Sequence, residues 1–135
     1  MESMNSIPDA RKYTSSHMWI EMEDEFIARC GIADKYLYKM DIIEFVDFPD
    51  VDIVVRMGEK VGIAESDKDI FEIHSPVSGR IVELNKLLEK DPSLINSDTY
   101  GEGWIYKIDV KEPNELRDLM HEDQYYEFLE RGGDI

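Results

Sequence analysis

Cysteine is almost missing from this sequence. Cys30 stands alone, which rules out an intramolecular disulfide and a cysteine-based metal site. A lone thiol fits a reducing compartment, and its apolar-leaning setting, Phe26-Ile27-Ala28-Arg29-Cys30-Gly31-Ile32, marks it as a small buried hydrophobe rather than a nucleophile. No apolar run approaches the length of a membrane span. Met1 to Asp9 has neither the basic start nor the apolar segment of a secretory signal, so a cytoplasmic setting is expected. Basic residues are scarce as well: 15 Lys and Arg face 31 Asp and Glu, a formal net charge of −16. Such a field repels nucleic acid and anionic membranes and favours basic protein partners. Paired Cys/His ligands at metal spacing, a glycine-rich phosphate loop and a Gly-x-Ser-x-Gly elbow are all lacking. The three histidines, His17, His74 and His121, are too scattered to make a triad. The expected protein is therefore not an enzyme and holds no metal.

What is present suits one compact domain of 135 residues, 42% of them hydrophobic. Residues 1–11 read as a flexible leader ahead of a single domain over 12–135. His17 to Glu23 alternates apolar and polar residues, and Glu25 to Cys30 does so loosely, with an acidic turn at Glu23-Asp24-Glu25. A short helix is predicted over Ala33 to Lys39. Strands follow at Asp41 to Phe48, Lys60 to Glu65, Asp69 to His74, Arg80 to Leu84 and Trp104 to Ile108. Ser75-Pro76-Val77-Ser78-Gly79 is a turn by composition, and Asn85 to Glu89 is one helical turn. From Glu112-Pro113 the tail is helical in pattern, with Leu116, Leu119, Met120, Tyr125, Phe128 and Leu129 apolar, until Gly132-Gly133 ends it. The fold class is mainly β with short C-terminal helices.

Lys68 lies in a predicted tight turn between two of these strands, bracketed by Asp67 and Asp69 with Glu65 and Glu72 nearby. By itself, a lysine in an acidic turn is an exposed surface charge, and its carboxylate neighbours favour the unreactive ammonium form. A hairpin tip nevertheless suits enzyme-driven modification, because the strands fix the position of the amine they present.

The motifs, in order, are Tyr13-Thr14-Ser15-Ser16-His17-Met18-Trp19, then Glu65-Ser66-Asp67-Lys68, Ser75-Pro76-Val77-Ser78-Gly79 and Val82-Glu83-Leu84-Asn85. Asp91-Pro92, Leu94-Ile95-Asn96-Ser97 and Tyr100-Gly101-Glu102-Gly103-Trp104 complete the set. This ordered set resembles the glycine cleavage system H-protein family over about residues 12–130. The resemblance implies a lipoyl-domain-like barrel-sandwich hybrid and a lipoate cofactor in amide linkage to Lys68. Lipoylated domains place a glutamate three residues before the modified lysine and a glycine eleven after it. Glu65 and Gly79 hold those offsets, so they are the expected lipoylation-recognition residues. Biotin carriers typically flank their lysine with methionines, and Asp67 and Asp69 stand there instead.

By the same resemblance the chain is a monomeric, non-catalytic carrier. It would take an aminomethyl group from the P-protein to the T-protein, be reoxidised by the L-protein and be loaded by a lipoate ligase or lipoyl transferase. Its arm cleft would involve Ser16, Met18, Tyr36 and Glu72. Met18 replaces a glutamate expected after His17, and Tyr36 a histidine or other polar residue; losing the carboxylate weakens a charge-assisted hold on a cationic amine. Met40 and Asp52 stand where glycines are common. Two alternatives follow: an H-protein-like lipoate-binding protein with another cargo, such as sulfur oxidation with a heterodisulfide-reductase-like complex or lipoyl relay, and a non-lipoylated binding module.

Overall fold

The computed structural model describes residues 11–133. Its first strands are β1 (Arg11–Tyr13), β2 (Met18–Met22) and β3 (Ile27–Ile32), followed by α1 (Asp34–Leu37). Then come β4 (Ile43–Asp47), β5 (Val54–Val55), β6 (Lys60–Ser66), β7 (Ile70–His74) and β8 (Gly79–Leu84). Short helices α2 (Leu87–Lys90) and α3 (Leu94–Ser97) lead to β9 (Tyr106–Val110), a 3-10 segment over Pro113–Asp118, and α4 (Glu122–Glu130). The strands form two antiparallel sheets, one ordered β1-β2-β3-β9-β8-β5 and one ordered β4-β6-β7. The fold is mainly β, as expected. Residues 1–10 of the expected leader lie outside the described residues, and Arg11 already belongs to β1, with its guanidinium 3.8 Å from the centre of the Tyr100 ring.

The main core lies between the sheets. Ile20, Ala28, Cys30, Ile81 and Ile108 of the six-stranded sheet share one buried cluster with Val46, Ala64, Phe71 and Ile73 of the three-stranded one. A second, aromatic cluster gathers Tyr13, Trp19, Ala33 and Tyr125 where α4 covers the β1–β2 end. Tyr125 stacks on Tyr13 at 4.7 Å between ring centres, and its hydroxyl lies 2.7 Å from His17 Nδ1. Strand β2 therefore serves two cores at once. Met18 and Ile20 face the first and Trp19 the second, so all three are buried. That departs from the half-exposed alternation its sequence suggests.

The predicted elements differ from the structure at several points. The tail is not one helical run: Leu119 is extended, and Met120 exchanges backbone hydrogen bonds of 2.8 and 2.9 Å with Tyr13. The free edge of β1 thus captures the chain before α4 begins. Strand β9 starts two residues later than Trp104, whose carbonyl accepts a 2.7 Å bond from the Asn85 amide instead of a ladder bond. His17 precedes β2 in a left-handed turn, φ 70°, and β5 and α3 are additional elements.

At Gly79 strands β8 and β9 leave no room for a side chain. A Cβ there would stand 2.2 Å from the Asp109 carbonyl oxygen and 3.0 Å from Ile108 Cγ1. Only a residue without a side chain lets β8 lie this close to β9.

Candidate functional site

Strands β6 and β7 pair from Lys60↔His74 to Glu65↔Ile70, which leaves Ser66 to Asp69 as the connecting turn. The Ser66 amide donates to the Asp69 carbonyl at 2.9 Å. The Ser66 hydroxyl oxygen accepts from the Asp69 amide at 3.1 Å and from the Lys68 amide at 3.4 Å. One serine side chain thus braces the tip from within, the usual role of a turn serine. Below it, Ala64, Phe71 and Ile73 anchor both strands in the core.

Lys68 stands on this braced tip with its side chain 75% exposed. Its ammonium pairs with the Asp41 carboxylate at 3.5 Å, a contact the sequence reading did not anticipate. The reason lies in strand register. Strand β4 runs antiparallel to β6 with Ile43 opposite Ser66, so the chain just before β4 passes the tip and brings Asp41 level with Lys68. Both partners are well exposed, and such pairs contribute only about 0–1 kcal/mol. The amine is held lightly and remains accessible at the surface.

The acidic ring expected around Lys68 is partly redistributed. Asp67 and Asp69 are exposed on the tip, and Glu65 lies one strand position below it. Glu72 is turned to other partners, with His74 Nε2 at 3.3 Å and the Lys60 ammonium at 3.6 Å. The hydrogen bond from His74 and then the charge of Lys60 lower the Glu72 pKa below the ordinary carboxylate range. His74 Nδ1 lies 2.9 Å from the Gly58 carbonyl.

Among the cavities described, none is lined by all four of the residues expected to share an arm cleft. Ser16 lines a pocket of about 350 Å³ with Met57, Ser75, Leu119 and Phe128. Met18 is fully buried in the main core and presents no surface to an arm. Tyr36 is half-buried between the rings of His17 and Phe71, at 4.6 and 5.2 Å, and Glu72 is on the outer sheet face. A different cavity adjoins the lysine. Asp41 and Ile42 form one wall of an open groove of about 570 Å³ that continues past Leu37 and Tyr38 to Asn96 and Tyr100. Asp41, on its wall, is the residue paired with Lys68, and the lining is mixed apolar and polar. Glu65 and Gly79 belong to different sheets; the glycine's contacts are those of strand packing. Among the described residues, no group of three or more His, Cys, Asp or Glu side chains is placed to hold a metal ion. No described helix is long and apolar enough to cross a membrane.

A family model for the glycine cleavage H-protein matches residues 11–132. The chain belongs to that family. The glycine cleavage system H protein of Thermotoga maritima is 40% identical over 118 residues, covering 87% of this chain and 94% of that protein. The mitochondrial one of Drosophila melanogaster is 38% identical over 124 residues, 92% of this chain and 75% of that protein. Among solved structures, the crystal structure of a glycine cleavage system H protein from Mycobacterium marinum superposes with a TM-score of 0.78. It shares 32% identity over 92% of this chain and 99% of that one. Family membership thus rests on sequence and backbone alike, and the two-sheet architecture is the family's lipoyl-domain-like barrel-sandwich hybrid.

Proposed function

We propose that this chain is the lipoyl carrier of a glycine cleavage system, with Lys68 as the attachment residue. The observation that carries the reading is the placement of Lys68: an exposed amine on the braced β6–β7 tip, with Glu65 three residues before and Gly79 eleven after, in a chain of this family. Lipoate in amide linkage supplies a disulfide that takes up a group at one enzyme and yields it at the next. The cargo we assign is the aminomethyl group that passes from the P-protein to the T-protein, with the L-protein restoring the disulfide.

The chain's own residues then have carrier roles rather than catalytic ones. Ser66 and the buried side chains of β6 and β7 hold the attachment point still. Converting the amine to an amide removes its positive charge, which releases Asp41 from its pair. Holding the arm to one point on a small protein raises its local concentration at each docked active site. The net charge of −16 favours basic docking surfaces on those enzymes and on the ligase or transferase that loads Lys68. We assign residues 12–135 to a single carrier domain that acts as a monomer in the cytoplasm.

A second reading keeps the lipoyl arm and changes its cargo to a sulfur-bearing group. Its support is Met18, an apolar, fully buried side chain where a carboxylate would hold an amine. Intact mass with peptide mapping, on protein co-expressed with a lipoate ligase, tests the carrier function. A lipoyl amide on Lys68, absent from Lys68→Arg, is the expected result; an unmodified Lys68 despite an active ligase and available lipoate returns the chain to the binding-module alternative. Reconstitution of the lipoylated chain with competent P-protein and glycine then separates the cargoes, because a sulfur carrier accepts no aminomethyl group.

A further inference from the structure

The outer face of the three-stranded sheet carries large apolar side chains close to the acidic tip. Register places Phe45 of β4, Glu65 of β6 and Ile70 of β7 side by side across the sheet. Their sequence neighbours Val46, Ala64 and Phe71 are buried on the inner face, so this row points outward. Phe45 is 51% exposed and Ile70 64%. Ile42, 54% exposed, follows directly after Asp41, the residue in contact with the Lys68 ammonium. Three large hydrophobes thus stand exposed beside the tip, interleaved with Asp41, Glu65 and Asp69.

Exposed apolar clusters rimmed by charge mark protein contact sites on soluble proteins. Here the apolar side chains alternate with carboxylates and adjoin the Lys68 amine, and that proximity points to the occupant. Any enzyme that acylates Lys68 must bring an activated acyl carbon within bonding distance of Nζ, so its surface covers the ground beside the tip. We infer that Ile42, Phe45 and Ile70 form the docking surface for the lipoate ligase that loads Lys68. The matching face of the ligase combines apolar and basic side chains, complementary to the interleaved carboxylates. This inference rests on the assignment of Lys68 as the acceptor. In the docked complex the deprotonated Nζ attacks the carbonyl carbon of a lipoyl adenylate made from lipoate and ATP. The amide bond forms, the acyl–phosphate bond breaks, AMP departs, and the amine's surplus protons pass to solvent.

The test measures initial rates of lipoylation by intact mass, with the purified apo chain, lipoate, ATP and a purified lipoate ligase, and the Kd of the apo chain for the same ligase. The variants are Phe45→Ser, Ile70→Ser and the pair combined. Val54→Ser is the control, at a residue 72% exposed on β5 of the other sheet. Each single change is expected to raise KM and Kd roughly tenfold, the effect of losing one central apolar anchor. The kcat and the thermal unfolding midpoint should hold, and the control should match the wild type. A combined variant modified with wild-type KM and Kd overturns the docking surface and leaves the lipoyl reading standing. A wild-type chain that takes no lipoyl group overturns that reading and the docking surface with it.

Discussion

Replacing Gly79 by alanine separates two roles that its position in the sequence leaves entangled. The new Cβ would stand 2.2 Å from the Asp109 carbonyl oxygen, so roughly 1 Å of separation must be found to reach an ordinary contact. Neither strand can yield freely. Strand β9 is held on its far side by β3, with Ile27 opposite Asp109, and β8 is held by β5, with Val55 opposite Gly79. Overpacking of this kind costs about 1–3 kcal/mol, and a weakened ladder bond adds about 1 kcal/mol. Alanine's smaller unfolded-state entropy returns about 0.4–1 kcal/mol. The net expectation is a loss of about 1–3.5 kcal/mol, which at a mid-range slope of about 2 kcal/mol per molar urea lowers the unfolding midpoint by about 0.5–2 M. Urea titration followed by far-ultraviolet circular dichroism measures it. A loss below about 1 kcal/mol refutes the packing argument. Lipoylation supplies the second readout: at low temperature without urea, a folded variant modified at the wild-type rate assigns the glycine to packing alone. A folded variant that is modified far more slowly shows instead that the ligase reads the glycine directly.

Cys30 is buried, which pushes its thiol up to about 12; the native chain should resist iodoacetamide near pH 8 and be alkylated once unfolded, both read by intact mass. Tyr125→Phe removes the 2.7 Å hydrogen bond to His17 and should cost about 1–2 kcal/mol in urea unfolding, because that bond ties α4 to the turn before β2. The Asp24 carboxylate accepts amide hydrogen bonds from Ile27 and Phe26, which lower its pKa. Its stabilisation is present above the unfolded carboxylate value and is lost as pH falls through the lower folded one. Asp24→Asn should therefore flatten the decline of the urea midpoint on acidification below pH 4.

How much of this was legible in the sequence depended on the range of the interaction involved. The tip was readable because its determinants are local. Ile70-Phe71-Glu72-Ile73-His74 alternates, Ser66 and Asp69 are turn formers, and Lys68 lies between them. Asp41 was not readable as the lysine's partner, because only the pairing of β4 with β6 brings residues 27 positions apart together. The depth of Met18 escaped for a related reason: alternation predicts burial against one core, and β2 lies between two. The tail shows competition between levels. Its apolar spacing favours a helix throughout, yet the free edge of β1 offers Met120 backbone hydrogen bonds that interrupt it. Strand β5, two residues long, has no room to display a period.

The two sheets divide the work that a carrier requires. The six-stranded sheet faces the main core and is covered at its β1–β2 end by the aromatic packing of Tyr13, Trp19 and Tyr125, so it serves as a rigid frame. The three-stranded sheet uses its inner face, through Val46, Ala64, Phe71 and Ile73, to fix the lysine-bearing hairpin on that frame. Its outer face keeps Phe45 and Ile70 exposed at the cost of leaving apolar area in water. Burying them in this chain would strengthen the sheet and remove the surface that other proteins can reach. A protein with no catalytic site of its own acts by being recognised. On the proposed docking, the exposed apolar residues beside Lys68 serve contact with the ligase rather than folding.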